Sequence, residues 1–142
     1  MKQTGKRILC VEDDEDSREL MSLFLGSEGY EVVSANSAAE ALMVAEGGGF
    51  VLYILDNWFV RGSGLELCRQ IRAFDPHTPI LFYSGAGYEA DIEEAMRAGA
   101  QGYLVKPTEF NVIIETVKRL IGLKETRVRE QRANSNIRVN LG

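Results

Sequence analysis

Phe50-Val51-Leu52-Tyr53-Ile54-Leu55-Asp56 sets an unbroken apolar run directly against one carboxylate. The run has strand length, far short of the ~20 residues that cross a bilayer, and it is apolar at every position, as a strand covered on both faces must be. Working outward, four further strand runs are read, Arg7 to Val11, Glu31 to Ala35, Pro79 to Tyr83 and Gly102 to Val105, with the central one read as Val51 to Leu55; three of the five are nearly continuous in apolar residues. Between them lie helical patterns. Asp16 with Glu19, Ser37 with Glu40 and Ser63 with Glu66 repeat the capping-box spacing, which predicts a first helix after Asp16 ended by Gly26 and Gly29, then helices over Ala38 to Glu46 and Gly64 to Phe74. The first carries Leu20, Met21, Phe24 and Leu25 as its apolar face. A fourth helix spans Glu89 to Ala98 and stops at Gly99; a fifth follows Thr108, with residues 110, 113, 114, 117 and 121 on one stripe. The order is strand then helix, five times, which is the signature of an α/β protein with a doubly wound, five-stranded parallel sheet.

The chain's 142 residues fit one domain, and its two cysteines, Cys10 and Cys68, sit among apolar residues where a free buried thiol is expected, so a reducing, cytoplasmic setting is the default. No apolar run is long enough for a membrane span. Residues 1–111 carry 9 basic and 18 acidic side chains, and residues 112–142 carry 7 and 3, so the body is −9 and the end +4. An acidic body argues against DNA binding by the main fold. Residues 7–122 are read as the domain and 123–142 as a basic tail or an extension of the fifth helix, with the alternation Ile137, Val139, Leu141 leaving a strand-like docking segment as the other reading. Gly47-Gly48-Gly49 reads as a turn, because it leads into a strand instead of opening a helix.

In an open parallel sheet ligands bind at the carboxyl ends of the strands. Glu12, Asp13 and Asp14 follow the first strand, Asp56 the third, Ser84 the fourth and Lys106 the fifth. Singly, each has an ordinary explanation as cap, turn or surface residue. Together they converge on one edge, and carboxylates about 4 Å apart repel by ~4 kcal/mol at an effective dielectric of ~20, so the cluster calls for a cation. A hard divalent ion with an incomplete protein shell suits magnesium. One carboxylate then remains as a nucleophile for phosphoryl transfer, with Lys106 and the Ser84 hydroxyl at the phosphoryl oxygens.

The pieces Ile8-Leu9-Cys10-Val11-Glu12-Asp13-Asp14, Ile54-Leu55-Asp56 with Gly64 eight residues on, Leu81-Phe82-Tyr83-Ser84-Gly85 and Gly99 through Pro107, in this order, resemble the receiver domain of two-component response regulators over about Arg7 to Ile121. The resemblance implies a flavodoxin-like receiver fold. It further implies that Asp56 accepts a phosphoryl group from a sensor histidine kinase or phosphotransfer protein, and that Asp13 and Asp56 hold Mg2+, with Glu12 acting through water and the Trp58 carbonyl as a further ligand. By the same carry-over Lys106 contacts the phosphoryl oxygen, Ser84 follows it, and Tyr103 is the aromatic that moves between outward and inward positions to alter a face for a downstream protein. The expected molecule is a monomer or weak homodimer without a DNA-binding domain in these residues. Several positions depart from the common pattern: Val60 and Arg61 replace a proline-led turn, Gly62-Ser63-Gly64 softens that loop, Val51 stands where an acidic residue often precedes the third strand, Gly85 stands for alanine, and bulky Trp58 serves as shield or partner contact.

Rival functions have weaker support in the residues. An aspartate-nucleophile phosphatase wants a second aspartate two residues after the nucleophile, where this chain has Trp58, and a flavin phosphate would be repelled by the acidic turn Glu12 to Ser17. A degenerate receiver acting as a phosphorylation-independent scaffold would not need the full set Glu12, Asp13, Asp56, Ser84 and Lys106. His77 is the only histidine and has no ligand set around it, so zinc sites and hydrolytic triads lack support.

Overall fold

The computed structural model describes residues 5–59 and 61–141, with 124, 126–129 and 131–141 described by their backbone alone. Five strands and five helices alternate along the chain: β1 Arg7–Val11, α1 Glu15–Ser27, β2 Glu31–Ala35, α2 Ala38–Glu46, β3 Phe50–Leu55, α3 Gly64–Phe74, β4 Ile80–Ser84, α4 Glu89–Ala98, β5 Gly102–Val105 and α5 Phe110–Leu141. All strand pairs are parallel, in the order β2-β1-β3-β4-β5, with Leu9 opposite both Val33 and Tyr53, Ile54 opposite Leu81 and Phe82 opposite Tyr103.

The strand alternation divides the core into two layers. Leu9, Val11, Tyr53, Leu55, Ile80 and Phe82 point to one face, where Ala41 and Ala45 of α2, Leu67 and Ile71 of α3 and Ala95 of α4 cover them. Ile8, Cys10, Leu52, Ile54 and Leu81 point to the other, against Met21 and Leu25 of α1 and Ile113, Val117, Leu120 and Ile121 of α5. Helices thus lie on both sides, as right-handed crossovers between parallel strands require. Cys10 and Cys68 are free and buried, and burial, their largest influence, pushes the thiols up to about 12 and about 11 respectively, which makes them inert packing groups.

Element ends differ from the sequence reading in instructive ways. The first helix is capped by Asp14, not Asp16: the Asp14 carboxylate accepts from the Ser17 N–H at 2.9 Å and from its hydroxyl at 2.7 Å. Asp14 is still extended as the chain leaves β1, and this conformation aims its side chain at the first turn. Ser37 and Ser63 do cap α2 and α3, accepting from Glu40 N–H and Glu66 N–H. Gly26 lies inside α1; the left-handed turn that ends it is at Gly29, with φ +92°. Gly99 closes α4 at φ +116°. Thr108 does not open α5: its hydroxyl donates to the Val105 carbonyl, and the Glu109 carbonyl accepts the first helical bonds, from Val112 and Ile113. β3 starts at Phe50 instead of Val51, and β4 runs from Ile80 to Ser84, one residue later than read; Pro79 contributes only its carbonyl, which accepts from Tyr53 N–H at 3.0 Å. Leu20, counted in the buried face of α1, is half exposed at its margin. The backbone at Ile137, Val139 and Leu141 is helical, so the strand-like reading of that segment is overturned.

Candidate functional site

The sheet itself delivers the acidic residues. Ladder bonds continue one step beyond the strands, from Glu12 N–H to the Ala35 carbonyl and from Asp56 N–H to the Val11 carbonyl, both at 3.1 Å, so the two carboxylates leave adjacent strands from fixed backbone. Lys106 N–H likewise donates to the Ser84 carbonyl at 2.9 Å and anchors the lysine beside β4. From there the ammonium reaches across the sheet edge, 2.6 Å from Glu12 Oε2 and 3.2 Å from Asp56 Oδ2. Residues 94 and 50 positions apart in the chain meet in one ion cluster.

Burial governs the electrostatics. Glu12 is 7% exposed, and that loss of hydration raises its carboxyl above the usual range despite the Lys106 hydrogen bond. Asp56 is held low instead: burial would raise it, but the neighbouring Ser84 and Glu12 side chains and the Lys106 charge outweigh it. The ammonium of Lys106 is held high, with its hydrogen bond to Glu12 and the Asp56 charge prevailing over desolvation. Two carboxylates against one ammonium leave a surplus negative charge, and the half-buried Asp13 adds another at the same edge. Among the described residues no three His, Cys, Asp or Glu side chains form a ready-made metal cage. An all-oxygen donor set with few protein ligands and excess negative charge fits a hard cation that keeps much of its water, the chemistry expected of magnesium.

The loop after Asp56 is tighter than the glycines suggest in sequence. Gly64 N–H donates to the Asn57 carbonyl at 2.8 Å, Phe59 N–H to the Gly62 carbonyl at 3.4 Å, and Trp58 and Ser63 form an antiparallel bridge. A β-carbon on Gly64 would stand 2.0 Å from the Asp56 carbonyl oxygen, so only glycine fits eight residues after the carboxylate. Trp58 is 63% exposed, and its backbone N–H donates to Asp56 Oδ1 at 3.4 Å. The substitution noted at Val60 falls outside the described residues.

Ser84 is fully buried at the end of β4. Its Oγ accepts from the Ala86 N–H at 3.2 Å, while the Tyr103 hydroxyl donates to the Ala86 carbonyl. The Tyr103 ring, opposite Phe82 across β4 and β5, lies parallel to it at 5.5 Å between centroids and is half-buried. One loop residue, set between Gly85 and Gly87, holds both side chains that the sequence singled out as movable. The family model of the response regulator receiver domain matches the chain over residues 8–118.

The chain belongs to the response regulator receiver family. Receivers are the phosphorylation-dependent switches of two-component systems. This receiver is 39% identical over 113 residues to response regulator protein FleR of Pseudomonas aeruginosa, covering 80% of this chain and 24% of FleR. It is 33% identical to transcriptional regulatory protein ResD of Bacillus subtilis, covering 85% and 50%. Among solved structures, a CheY-like receiver domain protein from Methanospirillum hungatei superposes with a TM-score of 0.83 at 29% identity, covering 86% of this chain and 98% of that one. The chain spans about half or less of the length of these two curated relatives.

The structure brings Glu12, Asp56 and Lys106 together as the sequence suggested, and adds two supports not read there. Arg18 Nη1 donates to the Glu12 carbonyl at 3.0 Å and steadies the acidic turn, and the Tyr83 ring lies 5.2 Å from Lys106 Nζ. Period-2 alternation puts Tyr83 on a core face, which disguises it as packing.

Proposed function

We propose that this receiver takes a phosphoryl group on Asp56 and changes a protein-binding face in response. The observation that carries the reading is the Lys106 ammonium held between Glu12 and Asp56, with the buried Ser84 at the end of the neighbouring strand. An Asp56 oxygen, kept ionised by these neighbours, forms the new bond to phosphorus while the bond to the donor breaks and its electron pair leaves with the donor. Asp13 and Asp56, the Trp58 carbonyl and, through water, Glu12 are the residues that would hold Mg2+. When bound, magnesium supplies positive charge for the phosphoryl oxygens and relieves the carboxylate repulsion. Lys106 then turns from Asp56 to the transferred group, and Ser84 follows it, releasing Ala86 and with it the hydroxyl contact of Tyr103. The partners implied are a histidine kinase or phosphotransfer protein upstream and a signal-dependent protein downstream, in the cytoplasm.

Incubation with acetyl phosphate and magnesium, followed by mass spectrometry, tests the assignment. One phosphoryl addition is expected, abolished by Asp56→Asn and by chelation, and slowed at least tenfold by Asp13→Ala. Labelling of Asp56→Asn at the parent's rate would overturn it.

A further inference from the structure

Lysine carries its charge on four rotatable bonds, and holding it in one place costs rotamer entropy. Two carboxylates alone do not fix Lys106, because the phosphoryl group claims one of them. A third contact is present. Tyr83 pairs with Leu104 across β4 and β5, and Lys106 follows Leu104 by two residues, so the pleat places the lysine and the tyrosine on the same face of the sheet. The ammonium accordingly lies over the Tyr83 ring, 5.2 Å from its centroid. The ring also walls a small cavity of about 10 Å³ shared with Cys10, Met21, Ile54, Glu12 and Asp56, room for a single water.

We infer that Tyr83 is a positioning residue for phosphoryl transfer: its ring face holds the Lys106 ammonium at the acceptor carboxylate through a cation–π contact. The contact is the one that survives the change at Asp56. While Glu12 and Asp56 exchange partners as the phosphoryl group arrives, the aromatic face stays where β4 puts it, and the ammonium pivots over a fixed surface. An attraction of this class, partly shielded from water, changes a rate by about three- to tenfold when removed. This inference rests on the phosphoacceptor reading of Asp56.

The test measures labelling by acetyl phosphate with magnesium in the parent, Tyr83→Leu, Tyr83→Phe and the same leucine substitution in a Lys106→Met background. Tyr83→Leu is expected to slow labelling about three- to tenfold, Tyr83→Phe to restore at least half of the parent rate, and the leucine change to alter the residual Lys106→Met rate less than twofold. In parallel, ring-current displacement of the Lys106 Cε protons in NMR spectra should persist in Tyr83→Phe and vanish in Tyr83→Leu. A Tyr83→Leu protein labelled at the parent's rate, equal slowing in both backgrounds, or undisplaced Cε protons in the parent would each overturn the positioning role while leaving Asp56 as acceptor. A parent that takes no phosphoryl group overturns the acceptor reading and this role with it.

Discussion

Gly64 shows how a single absent methyl can be required by a site it never touches. Its backbone runs so close under the Asp56 carbonyl that any side chain would force the peptide after the acceptor to move. Gly64→Ala is therefore expected to lose at least about 2 kcal/mol in urea denaturation, because the overlap is with backbone and cannot be relieved by a rotamer change. An unchanged midpoint would contradict this. The spacing of Gly64 from Asp56 was visible in the sequence, but its cause was not, since a spacing carries no information about which atoms approach. The same holds for Lys106: its place at a strand end was legible, whereas the ring of Tyr83 beneath it depends on the register between β4 and β5, which only the folded sheet reveals.

At the level of elements, strands and helices were legible because hydrophobic period and caps are local. Boundaries failed where two local signals competed. Asp14 and Asp16 both have the chemistry of a cap, and the extended exit from β1 decides for Asp14. Replacing Asp14 by alanine is expected to lower the urea midpoint, and Asp16→Ala to lower it by less than half as much, in matched titrations; equal losses would reinstate Asp16. The turn from α3 to β4 went unread because its bonds join distant segments. Arg72 donates to the carbonyls of Asp75, Thr78 and Gly99 and to Gln101, tying the ends of α3 and α4 to the start of β4. Asp75 accepts from the Tyr53 hydroxyl at 2.7 Å and from Thr78 N–H at 3.0 Å. Burial opposes ionisation of Asp75, but these bonds, with the Thr78 hydroxyl and His77 N–H, hold it at about 2, below its ordinary 3.8. A depressed carboxyl stabilises the fold fully above its unfolded value and loses that contribution as pH falls through the folded one. Stability should therefore drop between about pH 5 and pH 2, by about 1 kcal/mol from this residue after allowance for solvent screening, and Asp75→Asn should flatten that part of the profile. A variant with the parent's acid profile would remove Asp75 from the explanation.

For the whole molecule, the doubly wound arrangement follows from strands apolar on both faces, and the acidic edge follows from where their carboxyl ends must lie. Charge follows the same architecture. The 32 residues of α5, one continuous helix, extend over roughly 48 Å at 1.5 Å per residue. Residues 112–142, nearly all of them in this helix, are net +4, while residues 1–111 are −9. Screening in 0.15 M salt acts over about 8 Å, so the far end of the helix and the acidic sheet edge are electrically independent there. An isoelectric point of 5.0 then describes neither surface. The protein should behave as an ampholyte with two separate poles, retained at pH 7 and low salt by anion-exchange resin through its body and by cation-exchange resin through the helix end. A chain ending at Gly122 should keep the first affinity and lose the second.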